Sequence, residues 1–182
     1  MSAIIYPPIR EWLVPEGVFT STLAGVRPSG ERGCESGAFW LGKRTTRTRI
    51  EAVVLPSGPG VEEHPYQWRV SPDVFGEVAR WAKPFGLTLI AVAHTHIRGV
   101  PVDLSWADRT RSVQVPGMLA VVIGNGGHDA VFTGWGWFIY ERNDYREISR
   151  SELLNRVRVI TDEPHADTFR ADSTGVRPLQ PN

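Results

Sequence analysis

The run Leu87–His96, LTLIAVAHTH, constrains the fold more than any other segment. Its apolar residues follow one another without the alternation of a half-solvated strand. It therefore predicts a strand at the centre of a sheet. The stretch before it, SPDVFGEVARWAKPFG, predicts a helix. Ser71 suits the N-cap, Pro72 the first helical position, and Val74, Val78 and Trp81 share a face. Pro84 and Gly86 end it. ESGAFWLG (Glu35 to Gly42), IEAVVLP (Ile50 to Pro56), YQWRV (Tyr66 to Val70), GMLAVVIGNGG and AVFTGWGWFIYE read as further strands, with GNGGHD as the turn between the last two. SWADRTRSV reads as a short helix from Ser105. Strands and helices interleave, which favours α/β architecture with a central mixed sheet over an all-β sandwich.

A chain of 182 residues has room for one ordinary domain, expected here over residues 1–160. Pro7, Pro8 and Pro15 break any long helix at the N-terminus. VRPSGER, between Gly25 and Gly33, reads as a loop. Beyond about Thr161 the sequence is polar and aperiodic, so residues 161–182 are expected to form a disordered tail. Twenty Lys plus Arg balance twenty Asp plus Glu. That balance argues against a nucleic-acid partner, because phosphate affinity rests on surplus basic charge. The single cysteine, Cys34, excludes an intramolecular disulfide and a cysteine-rich zinc module. No secretory signal pattern opens the chain, and no apolar window approaches the roughly 20 residues that span a bilayer. The expectation is a cytoplasmic protein with no membrane partner.

Chemistry concentrates in AVAHTHIRGVPVDLSWAD. His94 and His96 end the apolar strand two residues apart, so both imidazoles point to one face. They make half of a tetrahedral zinc site. Asp108 follows on the first turn of the short helix, and a carboxylate there can supply a third ligand, leaving a fourth position open as catalytic sites do. Asp103, in the intervening loop, is a rival third ligand. Ser105 and Asp108 also match a helix-capping pair, a reading compatible with a catalytic role for the serine. Cys34 beside Glu35 reads as inert packing, since no histidine is paired with it in motif context. His64, His128 and His165 are assigned to solvent, and the tryptophans of GWGWFIY to the core.

H-x-H followed by S-x-x-D, with a glutamate upstream of a short apolar strand ending in glycine, resembles the signature of the JAMM (MPN-plus) metalloproteases. The matching residues are Glu35, seven before Gly42, then His94, His96, Ser105 and Asp108. Eight residues, IRGVPVDL, separate His96 from Ser105 where the family habit is seven, and Ile97 replaces the usual proline. Both departures fall in the connecting loop. The resemblance spans about Glu35 to Tyr140 and implies a cytidine-deaminase-like sheet. It also implies one Zn2+ per chain on His94, His96 and Asp108, with Glu35 as the base for water and Ser105 as a hydrogen-bond donor to the developing oxyanion.

Other H-x-H hydrolases fit less well. The metallo-β-lactamase pattern needs Asp where Arg98 stands, and cupins need a glutamate soon after His96, whereas the next is Glu141. Only 86 residues follow His96, too few for an amidohydrolase barrel. Zinc deaminases need a P-C-x-x-C pair. The family resemblance implies a peptidase or isopeptidase cutting after the C-terminus of a ubiquitin-like protein. Its partners would be activating and conjugating enzymes encoded nearby, in antiviral conjugation or sulfur-carrier processing. Two other classes stay open: a metal-dependent hydrolase of a small amide, and a non-catalytic MPN-type scaffold. A long groove at the site favours a protein tail, a closed pocket a small substrate. The loop Ile97 to Leu104 is expected to form one wall of such a groove.

Overall fold

The run ending in His96 forms β6 (Thr88–Thr95), and the structure, a computed structural model describing residues 7–161 and 166–179, sets it inside a ten-stranded mixed sheet. On one side β6 pairs antiparallel with β2 (Gly37–Gly42), on the other parallel with β7 (Leu119–Ile123). Beyond β2 lie β3 (Arg47–Pro56), β1 (Glu11–Pro15) and β10 (Val157–Ile160). Beyond β7 lie β8 (Gly136–Glu141) and β9 (Asp144–Glu147). A parallel pair needs a crossover. The crossover from β6 to β7 carries the short helix α3 (Trp106–Arg111).

All six residues of β2 are buried, because helices cover both faces of the sheet. Ala38 and Trp40 pack toward Val18, Phe19 and Leu23 of α1 (Glu16–Glu31). Phe39 and Leu41 pack toward Val74, Val78 and Ala82 of α2 (Pro72–Ala82). The period of two along the strand thus feeds two cores. Ser71 stands at the cap position of α2, yet its hydroxyl makes no capping bond. YQWRV forms β5 (Gln67–Val70), hairpinned to an unforeseen β4 (Val61–His64) as a separate two-stranded sheet. Among the described residues, no helix is long and apolar enough to cross a membrane.

Three expectations fail for physical reasons. Val26 to Glu31 of VRPSGER are the last six of the sixteen residues of α1, which continues through Pro28. Tertiary packing outweighs the lost backbone donor: Val26 is fully buried and Ser29 nearly so. AVFTG is not strand but a 3-10 turn at Phe132–Gly134. The indole N–H groups of Trp135 and Trp137 donate to the carbonyls of Asp129 and Phe132 and hold that turn. The tail, expected to be disordered, carries β11 (Asp167–Asp172) and β12 (Gly175–Pro178). β1 pairs only with Arg47 to Arg49 of the ten-residue β3, so an edge is left from Ala52 to Pro56. β11 takes that edge in parallel register, and Phe169 packs on Trp81 at 4.4 Å between ring centroids. His165 lies outside the described residues.

The end of α1 meets the turn after β7 backbone to backbone. A Cβ on Gly30 would stand 2.0 Å from the Gly126 carbonyl oxygen. Gly126 N–H in turn donates to the His96 carbonyl at 2.8 Å. Gly30→Ala is therefore expected to destabilise the fold by about 2–3 kcal/mol, as overpacking against an unyielding neighbour does. Urea unfolding checks it, and an unchanged midpoint would refute the close contact.

Candidate metal centre

Strand geometry delivers the two imidazoles together. The Nε2 atoms of His94 and His96 lie 3.3 Å apart. His96 is held just past the end of β6, where its backbone N–H donates to the Ile123 carbonyl at 2.9 Å. Its ring Nδ1 lies 2.6 Å from the Pro101 carbonyl oxygen. A carbonyl only accepts, so Nδ1 carries the proton and the ring's orientation is fixed from behind, as ligating histidines require.

Asp108 enters from α3, whose start is a reciprocal cap. Asp108 N–H donates to Ser105 Oγ at 3.1 Å, and Ser105 N–H donates to Asp108 Oδ2 at 2.8 Å. The cap fixes the carboxylate with Oδ1 3.5 Å from His94 Nε2 and Oδ2 3.7 Å from His96 Nε2. A tetrahedral ion with ligand bonds near 2.0–2.1 Å has ligand atoms about 3.3–3.4 Å apart. The imidazole pair matches that figure, and each ring has a different oxygen of Asp108 a little beyond it; the N, N, O donor set suits zinc. Convergence this tight also demands positive charge between the lone pairs, either protons on the imidazoles or a metal ion that displaces them.

The electrostatics agree. Burial pushes the Asp108 carboxyl up, but hydrogen bonds from His94, His96 and Ser105, with the charge on His94, outweigh it and hold the group well below the carboxylate range. Burial pulls His96 down, yet the bond to Asp108, the Pro101 carbonyl and the charge on Glu35 leave it above the ordinary histidine value.

Glu35 joins the site from the other strand. It precedes β2, is 6% exposed, and its backbone N–H donates to the His64 carbonyl on β4 at 2.8 Å. Burial raises its carboxyl above the usual range; His96 and His94 pull it partly back and Asp108 pushes it up again. Gly37, paired with His94, leaves room for the Trp68 ring, which a Cβ there would meet at 2.5 Å.

Glu35, His94, His96, Ser105 and Asp108 all line one cleft of about 680 Å³. One wall is the β4–β5 hairpin; the other is α3 with Val100 of the connecting loop. Asp103 stays outside the cluster: it is 69% exposed and binds Leu104 N–H and Arg109. Cys34 is not part of the cleft lining, and His64 and His128 are exposed. The reading from sequence missed the hairpin wall and the Pro101 carbonyl. VEEH and QWRV flanking the dipeptide Pro65–Tyr66 were the available signal for the hairpin; a backbone acceptor leaves none.

No protein-family profile matches the sequence, and no curated protein does. Similar solved structures do exist. A solution structure of a protein from Desulfitobacterium hafniense matches with a TM-score of 0.59 at 15% identity, covering 82% of this chain and 93% of that one. One from Salinibacter ruber gives 0.52 at 16% identity, covering 85% and 94%. A JAB1/MPN domain protein from Archaeoglobus fulgidus gives 0.44 at 12% identity, covering 81% and 99%. The chain thus shares its mixed α/β fold with the first two proteins, and His94, His96 and Asp108 form a group that could hold a metal ion.

Proposed function

We propose that this protein is a zinc-dependent JAMM-type hydrolase that cuts a peptide or isopeptide bond after the C-terminal tail of a ubiquitin-like protein. The observation that carries the reading is the convergence of His94, His96 and Asp108 into a group that could hold a metal ion, beside the buried carboxyl of Glu35. When bound there, zinc supplies a Lewis acid that acidifies water toward a pKa of ~7. Glu35 takes a proton from the attacking water and delivers it to the departing nitrogen. Ser105 Oγ accepts from Asp108 N–H, which leaves its own proton for the carbonyl oxygen as negative charge develops there. The same reading carries the cytidine-deaminase-like arrangement, a cytoplasmic setting, and activating or conjugating enzymes as partners.

The open cleft and the edge of β5 support a protein tail as substrate. Among the described residues β5 pairs only with β4, so its other edge offers backbone groups to an extended chain. Zinc-loaded protein is expected to cleave a ubiquitin–reporter fusion with Gly-Gly before the cut about 10-fold faster than one with Phe-Phe there, since side chains near the metal crowd the cleft. Equal rates, or equal cleavage of free peptide, would favour a small-amide hydrolase. Metal binding with no turnover of either would favour an MPN-type scaffold.

A further inference from the structure

The antiparallel ladder between β2 and β6 ends with Gly37 opposite His94. One step further, Ser36 faces Thr95, and the next step sets Glu35 on the imidazole side, toward His96. The rung at Ser36 and Thr95 is unusual. Thr95 N–H donates to the Ser36 carbonyl at 2.9 Å, as a ladder requires. The return bond does not reach the Thr95 carbonyl: Ser36 N–H donates to Thr95 Oγ1 at 3.0 Å. The threonine hydroxyl then donates to the Ser36 carbonyl at 3.3 Å, and Ser36 Oγ donates to the Val26 carbonyl of α1 at 3.2 Å. One residue upstream, Glu35 N–H has left the ladder for His64 on β4.

Thr95 is fully buried and Ser36 is 3% exposed. Valine has the same branched shape and an equal liking for strands, so packing alone does not call for a hydroxyl. A buried hydroxyl is costly unless bonded, and among the described residues this one is bonded only to Ser36. Thr95 lies between the two ligands, and Ser36 lies beside the base. We propose that Thr95, through Ser36, is a positioning residue that fixes where Glu35 leaves the sheet relative to His94 and His96. The proposal rests on the hydrolase reading above for its effect on turnover, although the clasp itself is a property of the backbone.

Thr95→Val and Thr95→Ser test it in the full chain loaded with zinc, on the ubiquitin Gly-Gly reporter fusion. Thr95→Val is expected to keep about one zinc per chain and a KM within about 3-fold, while kcat falls about 30–100-fold, the effect of a base displaced by an ångström or less. Thr95→Ser, which keeps the hydroxyl, should recover kcat to within about 3-fold of the parent. Amide hydrogen exchange provides the readout independent of activity. Glu35 and Ser36 amides should exchange about 10-fold faster in Thr95→Val, with or without zinc, and at the parent rate in Thr95→Ser. Unchanged exchange in Thr95→Val overturns the proposal. So does a Thr95→Ser variant as impaired as Thr95→Val, which would assign the role to packing, and so does zinc loss that accounts for the fall in kcat. If the parent cleaves no fusion, the hydrolase reading fails, and exchange at Glu35 and Ser36 still decides whether the clasp exists.

Discussion

Glu35→Gln is expected to lower turnover about 1000-fold while the protein keeps its zinc and its fold, because general acid–base catalysis is typically worth 10²–10⁴. The amide matches the carboxylate in shape, so the 6%-exposed site loses no volume, and Glu35 is not among the three converging ligands. What it loses is the capacity to accept a proton from water. The pH profile gives the sign. Burial raises the Glu35 carboxyl above the usual range in the metal-free site, and only its ionised form is a base. Activity should therefore fall as the pH drops through the titration of Glu35 in the zinc-loaded protein, and the limb should vanish from the residual rate of Glu35→Gln. Steady-state kinetics with metal analysis on the same samples check both. Wild-type turnover in the amide variant would remove Glu35 from the mechanism.

Much of this site was legible because its ligands are close in sequence. His96 stands two positions after His94, and Asp108 twelve positions after His96, so strand period and helix capping bring the three together. Glu35 is different. It stands 59 positions before His94 and reaches the imidazoles only through the pairing of β2 with β6. No local pattern encodes that pairing, and the family resemblance alone pointed to the residue. The Ser36–Thr95 clasp was hidden for the same reason. The central strands were readable as apolar runs, since helices on both faces leave no alternation to find. Two of the misreadings share one cause. Pro28 and the polar tail carry strong local signals, and packing of Val26 and Phe169 overrode them.

The second large effect concerns the metal. Wild-type protein is expected to hold about one zinc per chain, and a His94→Ala, His96→Ala double variant to hold almost none, since one carboxylate cannot retain the ion alone. Zinc should also raise the melting temperature of the wild type, by the equivalent of about 4 kcal/mol at a thousandfold excess over its dissociation constant. The size of that gain depends on pH in a direction the metal-free site dictates. His96 is raised above its ordinary value by its bond to Asp108, so its protonated form stabilises the metal-free protein below the unfolded histidine value. That contribution is lost as pH rises through the folded value. Asp108, held low, contributes stability above the unfolded carboxylate value and keeps it until the medium is strongly acidic. Between those limits the imidazole proton and the metal compete for the same Nε2 lone pair. The zinc-induced gain in melting temperature should therefore be small at pH 5.5 and grow toward pH 8, with the change falling across the titration of His96. Thermal melts with zinc and with chelator at several pH values measure it. A gain independent of pH, or full occupancy in the double variant, would mean that the ion binds elsewhere on the chain.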